Sequence, residues 1–142
     1  MEKMAIESEM IQRYAKNKPK HFQTTISFID LDNFKYINDT FGHNAGDLII
    51  KCFAQSLKKI YRKVDFVSRF GGDEFVILMP STNCLEAKRA AERLYKELSA
   101  QNHYISQLSD LLKTEIDIPE NKRLCFSMGI CSNYDIEEPT DL

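Results

Sequence analysis

Arg69-Phe70-Gly71-Gly72-Asp73-Glu74-Phe75, running on into Val76-Ile77-Leu78-Met79, is the stretch on which the fold turns. Two glycines between apolar runs predict a tight β-hairpin, because glycine accepts the positive φ of such turns without steric cost. Two carboxylates follow at once. Adjacent acids at the mouth of a buried strand are costly unless a cation sits opposite them. A metal ion with a phosphate attached is the cation that suits them. Gly-Gly-Asp alone would read first as a surface hairpin with solvated acids. The five-residue string Gly-Gly-Asp-Glu-Phe is expected only about once per million positions at average residue usage, and that rarity favours a built site.

Working outward, the hairpin gains partners on both sides. Upstream, 24–30 is rich in β-formers and predicts a first strand ending in an acid. The stretch 32–41 predicts a short helix with Phe34, Ile37 and Phe41 on one face, and Gly42-His43-Asn44-Ala45-Gly46 a loop. Asp47 then opens a second helix, on which Ile49, Cys52, Phe53, Ser56, Leu57 and Ile60 form a stripe of 3.6 period. Strands at 65–69 and 74–79 flank the glycines. Pro80-Ser81-Thr82-Asn83 breaks the second of them and supplies a cap for a helix over 84–100. Ala87, Ala90, Ala91, Leu94, Tyr95 and Leu98 are its expected inner face. A further helix is expected at 104–112, within an insert spanning 101–122, and a last strand at 125–132. A short amphipathic helix with Ile6, Met10, Ile11 and Tyr14 precedes all of this and ends before Pro19. Without the short second helix the order is the split βαβ arrangement. The expected fold class is therefore α+β, an antiparallel sheet with flanking helices.

Composition sets bounds. The chain has 142 residues, enough for one domain with a real core, and is 43% apolar and 28% charged, as soluble globular proteins are. A net charge of −2 gives no general attraction to nucleic acid or to anionic membrane. No apolar run is long enough to span a bilayer and no secretory signal is present, so a cytoplasmic location is expected. Cys52, Cys84, Cys125 and Cys131 lack paired spacing and sit in apolar patterns, which predicts buried, reduced thiols.

Asp30-Leu31-Asp32 closes the first strand. In a split βαβ sheet that strand pairs with the hairpin, so Asp30 and Asp73 converge from distant parts of the chain. Two carboxylates and a backbone carbonyl make a hard-oxygen site suited to Mg²⁺. Two such ions can clamp the attacking and leaving oxygens of a phosphoryl transfer. An acid after a strand also reads as a helix cap, and Asp32 can be only that; Asp30 alone reads equally as cap or ligand, and Asp73 in the same sheet favours the ligand. Lys35 can reach a phosphate or lie solvated on the surface. Asn38 and Asp47 can together read the edge of guanine, the acid accepting from the ring N–H and exocyclic amine. Equally, Asn38 can stabilise the turn and Asp47 cap the second helix.

The run Asp30-Leu31-Asp32-Asn33-Phe34-Lys35-Tyr36-Ile37-Asn38-Asp39-Thr40-Phe41-Gly42-His43-Asn44-Ala45-Gly46-Asp47, taken with Arg69-Phe70-Gly71-Gly72-Asp73-Glu74-Phe75, closely resembles the GGDEF family of diguanylate cyclases. Ser127-Met128-Gly129-Ile130 is similar to that family's Ser-Ile-Gly-Val strand. The resemblance implies a ferredoxin-like, nucleotidyl cyclase palm. It implies condensation of two GTP into cyclic di-GMP with release of pyrophosphate, by in-line attack of one ribose hydroxyl on the other nucleotide's α-phosphorus. By motif, Asp30, Asp73 and the Leu31 carbonyl would hold the metal, two Mg²⁺ or Mn²⁺ ions per site. Asp73 and Glu74 would be the catalytic pair. Asn38 and Asp47 would bind guanine, Lys35 a phosphate, and Gly71 and Gly72 would let the backbone approach the triphosphate. Each site holds one GTP, so two domains must meet face to face as a homodimer. In the same register, Arg62-Lys63-Val64-Asp65 carries the family's Arg-x-x-Asp pattern, which implies a product-inhibition site where Arg62 and Asp65 grip cyclic di-GMP.

The chain also departs from the family. Met10-Ile11-Gln12-Arg13-Tyr14-Ala15-Lys16 stands where a Leu-Thr-Gly-Leu-x-Asn-Arg stretch is usual, and Thr140-Asp141-Leu142 falls about where a basic Ala-Lys-x-x-Gly-Arg helix would begin. The expected organisation is an N-terminal helix and linker over 1–20 and a GGDEF domain over 21–142, truncated before its C-terminal helix. If it is a fragment, a sensor or regulatory domain would lie upstream. The alternative functions are a catalytically impaired module that binds GTP or cyclic di-GMP as a regulatory ligand, and a palm enzyme making a different cyclic nucleotide. Asp47 argues against the last, since adenine offers no matching ring N–H donor.

Overall fold

The computed structural model describes residues 23–101 and 103–133. The helix and linker expected over 1–20 lie outside the described residues. The elements run β1 (Thr24–Asp32), α1 (Phe34–Phe41), α2 (His43–Ile60), β2 (Phe66–Arg69), β3 (Glu74–Pro80), α3 (Cys84–Gln101), α4 (His103–Leu112) and β4 (Cys125–Ser132). The sheet order is β2-β3-β1-β4, with every neighbouring pair antiparallel. This is the split βαβ arrangement that the element order predicts.

The sheet takes this shape because β1 is two-faced. Thr25, Ser27, Ile29 and Leu31 are buried while Phe28 and Asp30, pointing the other way, are exposed. The buried row joins Phe75, Ile77 and Met79 of β3 and the inner faces of the helices, Ile37, Ile49, Phe53, Leu57, Ala87, Leu94 and Leu108. Phe53 lies at its centre, with ring centroids 5.1 Å from Phe75 and 6.1 Å from Phe126. The two hydroxyls on β1's inner face fare differently. Thr25 donates to the carbonyl of Thr82 and lies 2.9 Å from Ser132 Oγ, whereas Ser27 Oγ is buried with no partner. α3 starts from a reciprocal capping box: Glu86 N–H donates to Asn83 Oδ1 at 2.8 Å and Asn83 N–H to Glu86 Oε1 at 3.2 Å.

Four local expectations are corrected. Gly42-His43-Asn44-Ala45-Gly46 is no loop: α2 begins at His43, and Gly42 alone, at φ 96, separates it from α1. Gly42 N–H closes α1 on the Asn38 carbonyl at 2.9 Å, and Gly42 C=O accepts the Gly46 N–H at 3.1 Å to open α2. Asp47 therefore sits inside α2 rather than capping it. Tyr95 is 53% exposed rather than on the inner face of α3; its ring lies 6.5 Å from that of Phe126, nearly edge-on. The thiols are free but not fully buried, Cys131 being exposed and the others half-buried. Gly71 and Gly72 do not take positive φ; among the described glycines only Gly42 does. The turn they occupy is closed another way. Phe70 N–H donates to the Glu74 carbonyl at 2.7 Å, and the Arg69 guanidinium donates to the carbonyls of Gly71 at 3.1 Å and Gly72 at 2.8 Å.

Candidate active site

Register brings the acids together. Asp30 of β1 is paired directly with Glu74 of β3, and antiparallel partners project to the same face. One residue on, the Leu31 N–H donates to the Asp73 carbonyl at 2.9 Å. Leu31 itself is only 3% exposed, so its anchorage in the core sets where Asp73 stands. Asp30, Asp73 and Glu74 each present a carboxylate oxygen, all within 4.8 Å of one another. Asp30's carboxyl is pushed above its ordinary value, first by desolvation and then by the charges of Asp73 and Asp32. Acids this close repel one another unless a cation lies among them, and a set of hard carboxylate oxygens fits a divalent ion of the Mg²⁺ or Mn²⁺ kind.

The glycines of the turn leave space rather than supplying unusual torsions. A Cβ on Gly71 would stand 3.1 Å from Glu74 Oε2, so a side chain there would crowd that carboxylate. Around Gly72 nothing lies within 4 Å. The acids border a cleft of about 400 Å³ on the open face of the sheet, lined by Asp30, Glu74 and Ser127 together with Phe28, Phe70 and Met128. Asp32 is neither a cap nor a member of the acidic group. Its carboxylate accepts from Ser127 Oγ, 2.9 and 3.1 Å from its two oxygens.

α1 follows immediately. Its N-cap residue, Asn33, is left-handed at φ 69 and makes no capping bond. The Asn33 amide instead donates to the carbonyls of Arg123 at 2.7 Å and Asn121 at 3.3 Å. The first amides of α1 are thus left without a side-chain cap, and exposed Lys35 lies in the same turn. Uncapped amides and a lysine at a helix start attract anions. On the next turn, Asn38 Oδ1 occupies the space where a Gly46 Cβ would be. Gly46 thereby lets α1 and α2 cross closely and sets Asn38 beside the turn of α2 that carries exposed Asp47. Sequence reading missed three of these supports: Asn33, Gly46 and Arg69. Gly46 reads in the sequence as part of the stretch 42–46 expected to be a loop, and neither Asn33 nor Arg69 carries a local signal of its role.

Arg62 and Asp65 stand elsewhere, between the end of α2 and the start of β2. The pair is bidentate: guanidinium nitrogens lie 2.9 and 3.3 Å from the two Asp65 oxygens. Arg62 also donates to the Pro80 carbonyl at 2.8 Å and to Thr82 Oγ1 at 2.7 Å. Its side chain is 52% exposed, whereas that of Asp65 is 3% exposed. A pocket of about 110 Å³ lies beside them, lined also by Arg93, Glu86 and Tyr61. The Tyr61 hydroxyl is buried there without a hydrogen-bond partner. Its pKa is pushed up to about 12, mainly by desolvation and then by the Asp65 charge, against the lowering effect of Arg93. Arg93 is a second cation at this site that the sequence reading did not identify.

The model of the diguanylate cyclase GGDEF domain matches residues 2–134. Diguanylate cyclase DgcP of Pseudomonas aeruginosa is 38% identical over 96 residues, which is 68% of this chain and 14% of that protein. The chain therefore spans about a seventh of that relative's length. Among solved structures, the GGDEF domain of TpbB (YfiN) from Pseudomonas aeruginosa superposes with a TM-score of 0.70 at 28% identity, covering 91% of this chain and 69% of that one. The GGDEF domain of DgcB from Caulobacter crescentus, solved with c-di-GMP, gives a TM-score of 0.72 at 22% identity over 92% of this chain and 71% of its own; it supports the fold alone.

Proposed function

The chain belongs to the diguanylate cyclase GGDEF-domain family, and on that premise we propose that it condenses two GTP molecules into cyclic di-GMP with release of pyrophosphate. The observation that carries this reading is the carboxylate group Asp30, Asp73 and Glu74, whose oxygens lie within 4.8 Å of one another at the rim of the open sheet face.

Asp30, Asp73 and the Leu31 carbonyl would hold Mg²⁺ or Mn²⁺, two ions per site, which when bound would neutralise the triphosphate and favour departure of pyrophosphate. The protein's own groups do the positioning. Lys35 and the uncapped start of α1 take the phosphates. Asn38 and Asp47 read guanine. Gly72, with open space around it, admits the nucleotide close to the backbone. Glu74 stands where it can orient the attacking ribose hydroxyl. As that hydroxyl's oxygen bonds to the α-phosphorus, its proton leaves to Glu74 or water, and the bond from the α-phosphorus to the pyrophosphate oxygen breaks. The attacking hydroxyl belongs to the other GTP, so two domains face one another across a two-fold axis.

Product inhibition completes the proposal. Arg62 and Arg93 offer guanidinium groups, and Asp65 a carboxylate, to guanine and phosphate of cyclic di-GMP. An Arg62→Ala variant is expected to resist inhibition by added cyclic di-GMP. An unchanged inhibition curve and unchanged affinity for the product would contradict the assignment.

Chromatography of the full chain incubated with GTP and Mg²⁺ or Mn²⁺ tests the activity itself. Cyclic di-GMP from the parent and none from Asp73→Ala is the expected result. GTP binding without product would instead favour a regulatory binding module.

A further inference from the structure

The segment between α4 and β4 reaches the start of α1, next to the strand that carries the acids. It is anchored, not loose. Ile118 is fully buried and Leu124 is 6% exposed. The Leu124 N–H donates to Tyr104 Oη at 3.0 Å, the Ile116 N–H to Ser109 Oγ at 3.2 Å, and Arg123 Nε to the Ile118 carbonyl at 3.2 Å. A short 3₁₀ turn, Glu120–Lys122, follows Pro119. From this strap two contacts reach α1. Asn33 donates its amide to the carbonyls of Arg123 and Asn121, and the Lys122 ammonium lies 5.6 Å from the centroid of the Tyr36 ring.

We infer that Asn33 is a positioning residue for the nucleotide's phosphates: it ties the turn between the acidic strand and α1 to the strap at 119–123. The inference rests on the GTP reading above. It follows from what Asn33 does not do as much as from what it does. An asparagine at an N-cap ordinarily accepts from the helix amides. Here Asn33, left-handed at φ 69, makes no capping bond. Its amide nitrogen is held by two carbonyls of a segment far along the chain, which leaves those amides without a side-chain acceptor and open to an incoming anion. The same two bonds hold a left-handed backbone in place between Asp32, tied to Ser127, and Lys35. A phosphate-facing turn fixed at both ends needs less ordering when the ligand arrives.

Two variants of the full chain separate this from a role in folding alone. Asn33→Gly keeps the left-handed torsion at no steric cost and deletes the tether. Asn33→Asp keeps the shape but sets a carboxylate against two carbonyls. GTP affinity measured calorimetrically with Mg²⁺ should fall about tenfold in Asn33→Gly, as for other groups that orient a site from behind, and further in Asn33→Asp. Melting temperature, measured in parallel, identifies any variant that has not folded, and the other then carries the test. Affinity within twofold of the parent in a folded variant, even one with lowered melting temperature, overturns the inference. If the parent itself does not bind GTP, the functional reading fails first and the inference fails with it.

Discussion

Asp30 shows at the scale of one residue what the site costs the fold. Its carboxyl is held above its ordinary value of 3.8 by desolvation and by its acidic neighbours. A carboxyl whose pKa is raised on folding destabilises the native state in its ionised form. The penalty is absent below the ordinary value, grows as pH rises through the raised one, and is fully present at neutral pH. Asp30→Asn should therefore melt at a higher temperature than the parent at pH 7 without divalent ions, with the gap closing in acid. It should also lose most of the parent's stabilisation by Mg²⁺. Melting curves with and without the ion check both. Gly46 gives a second test at this scale. A Cβ there would drive into Asn38 Oδ1, and overpacking of this kind costs about 1–3 kcal/mol. Gly46→Ala should lower stability by that order and weaken GTP binding by displacing Asn38. Unchanged affinity in a stably folded variant would separate Asn38 from the nucleotide.

At the scale of elements, period and pairing were legible and close approaches were not. The strand β4 and the hairpin strands could be placed because apolar alternation and the Gly-Gly break are local signals. The convergence of Asp30 on the hairpin followed from the split βαβ order alone, and the register pairs it with Glu74. The start of α2 was misread because Gly42 and Gly46 look alike in sequence. One breaks the chain at φ 96, whereas the other is a helical residue kept small by a crossing helix. Nothing local tells them apart. Asn33 was opaque for the same reason, since its partners Asn121 and Arg123 lie in a distant segment. The cap of α3 was legible, because both halves of the box are close in sequence. Asn83→Ala should cost about 1 kcal/mol of stability through loss of that cap, read by denaturant titration, with cyclase activity at saturating GTP unaffected.

For the molecule as a whole, the helices cover one face of the sheet, and the acids, the turn of glycines and the start of α1 gather at the rim of the other. The proposed nucleotide site and the proposed product site occupy separate places, joined through β3. The acidic group lies at its first residue, Glu74, and Arg62 bonds to the carbonyl of its last, Pro80. The central claim is that the carboxylates of β1 and the hairpin form one metal-dependent centre for joining two guanine nucleotides. Chromatographic analysis after incubation with GTP and Mg²⁺, run beside Asp73→Ala, tests it most directly. The account predicts cyclic di-GMP and pyrophosphate from the parent and neither from the variant. Equal product from both, or none from a parent that binds GTP, would contradict it.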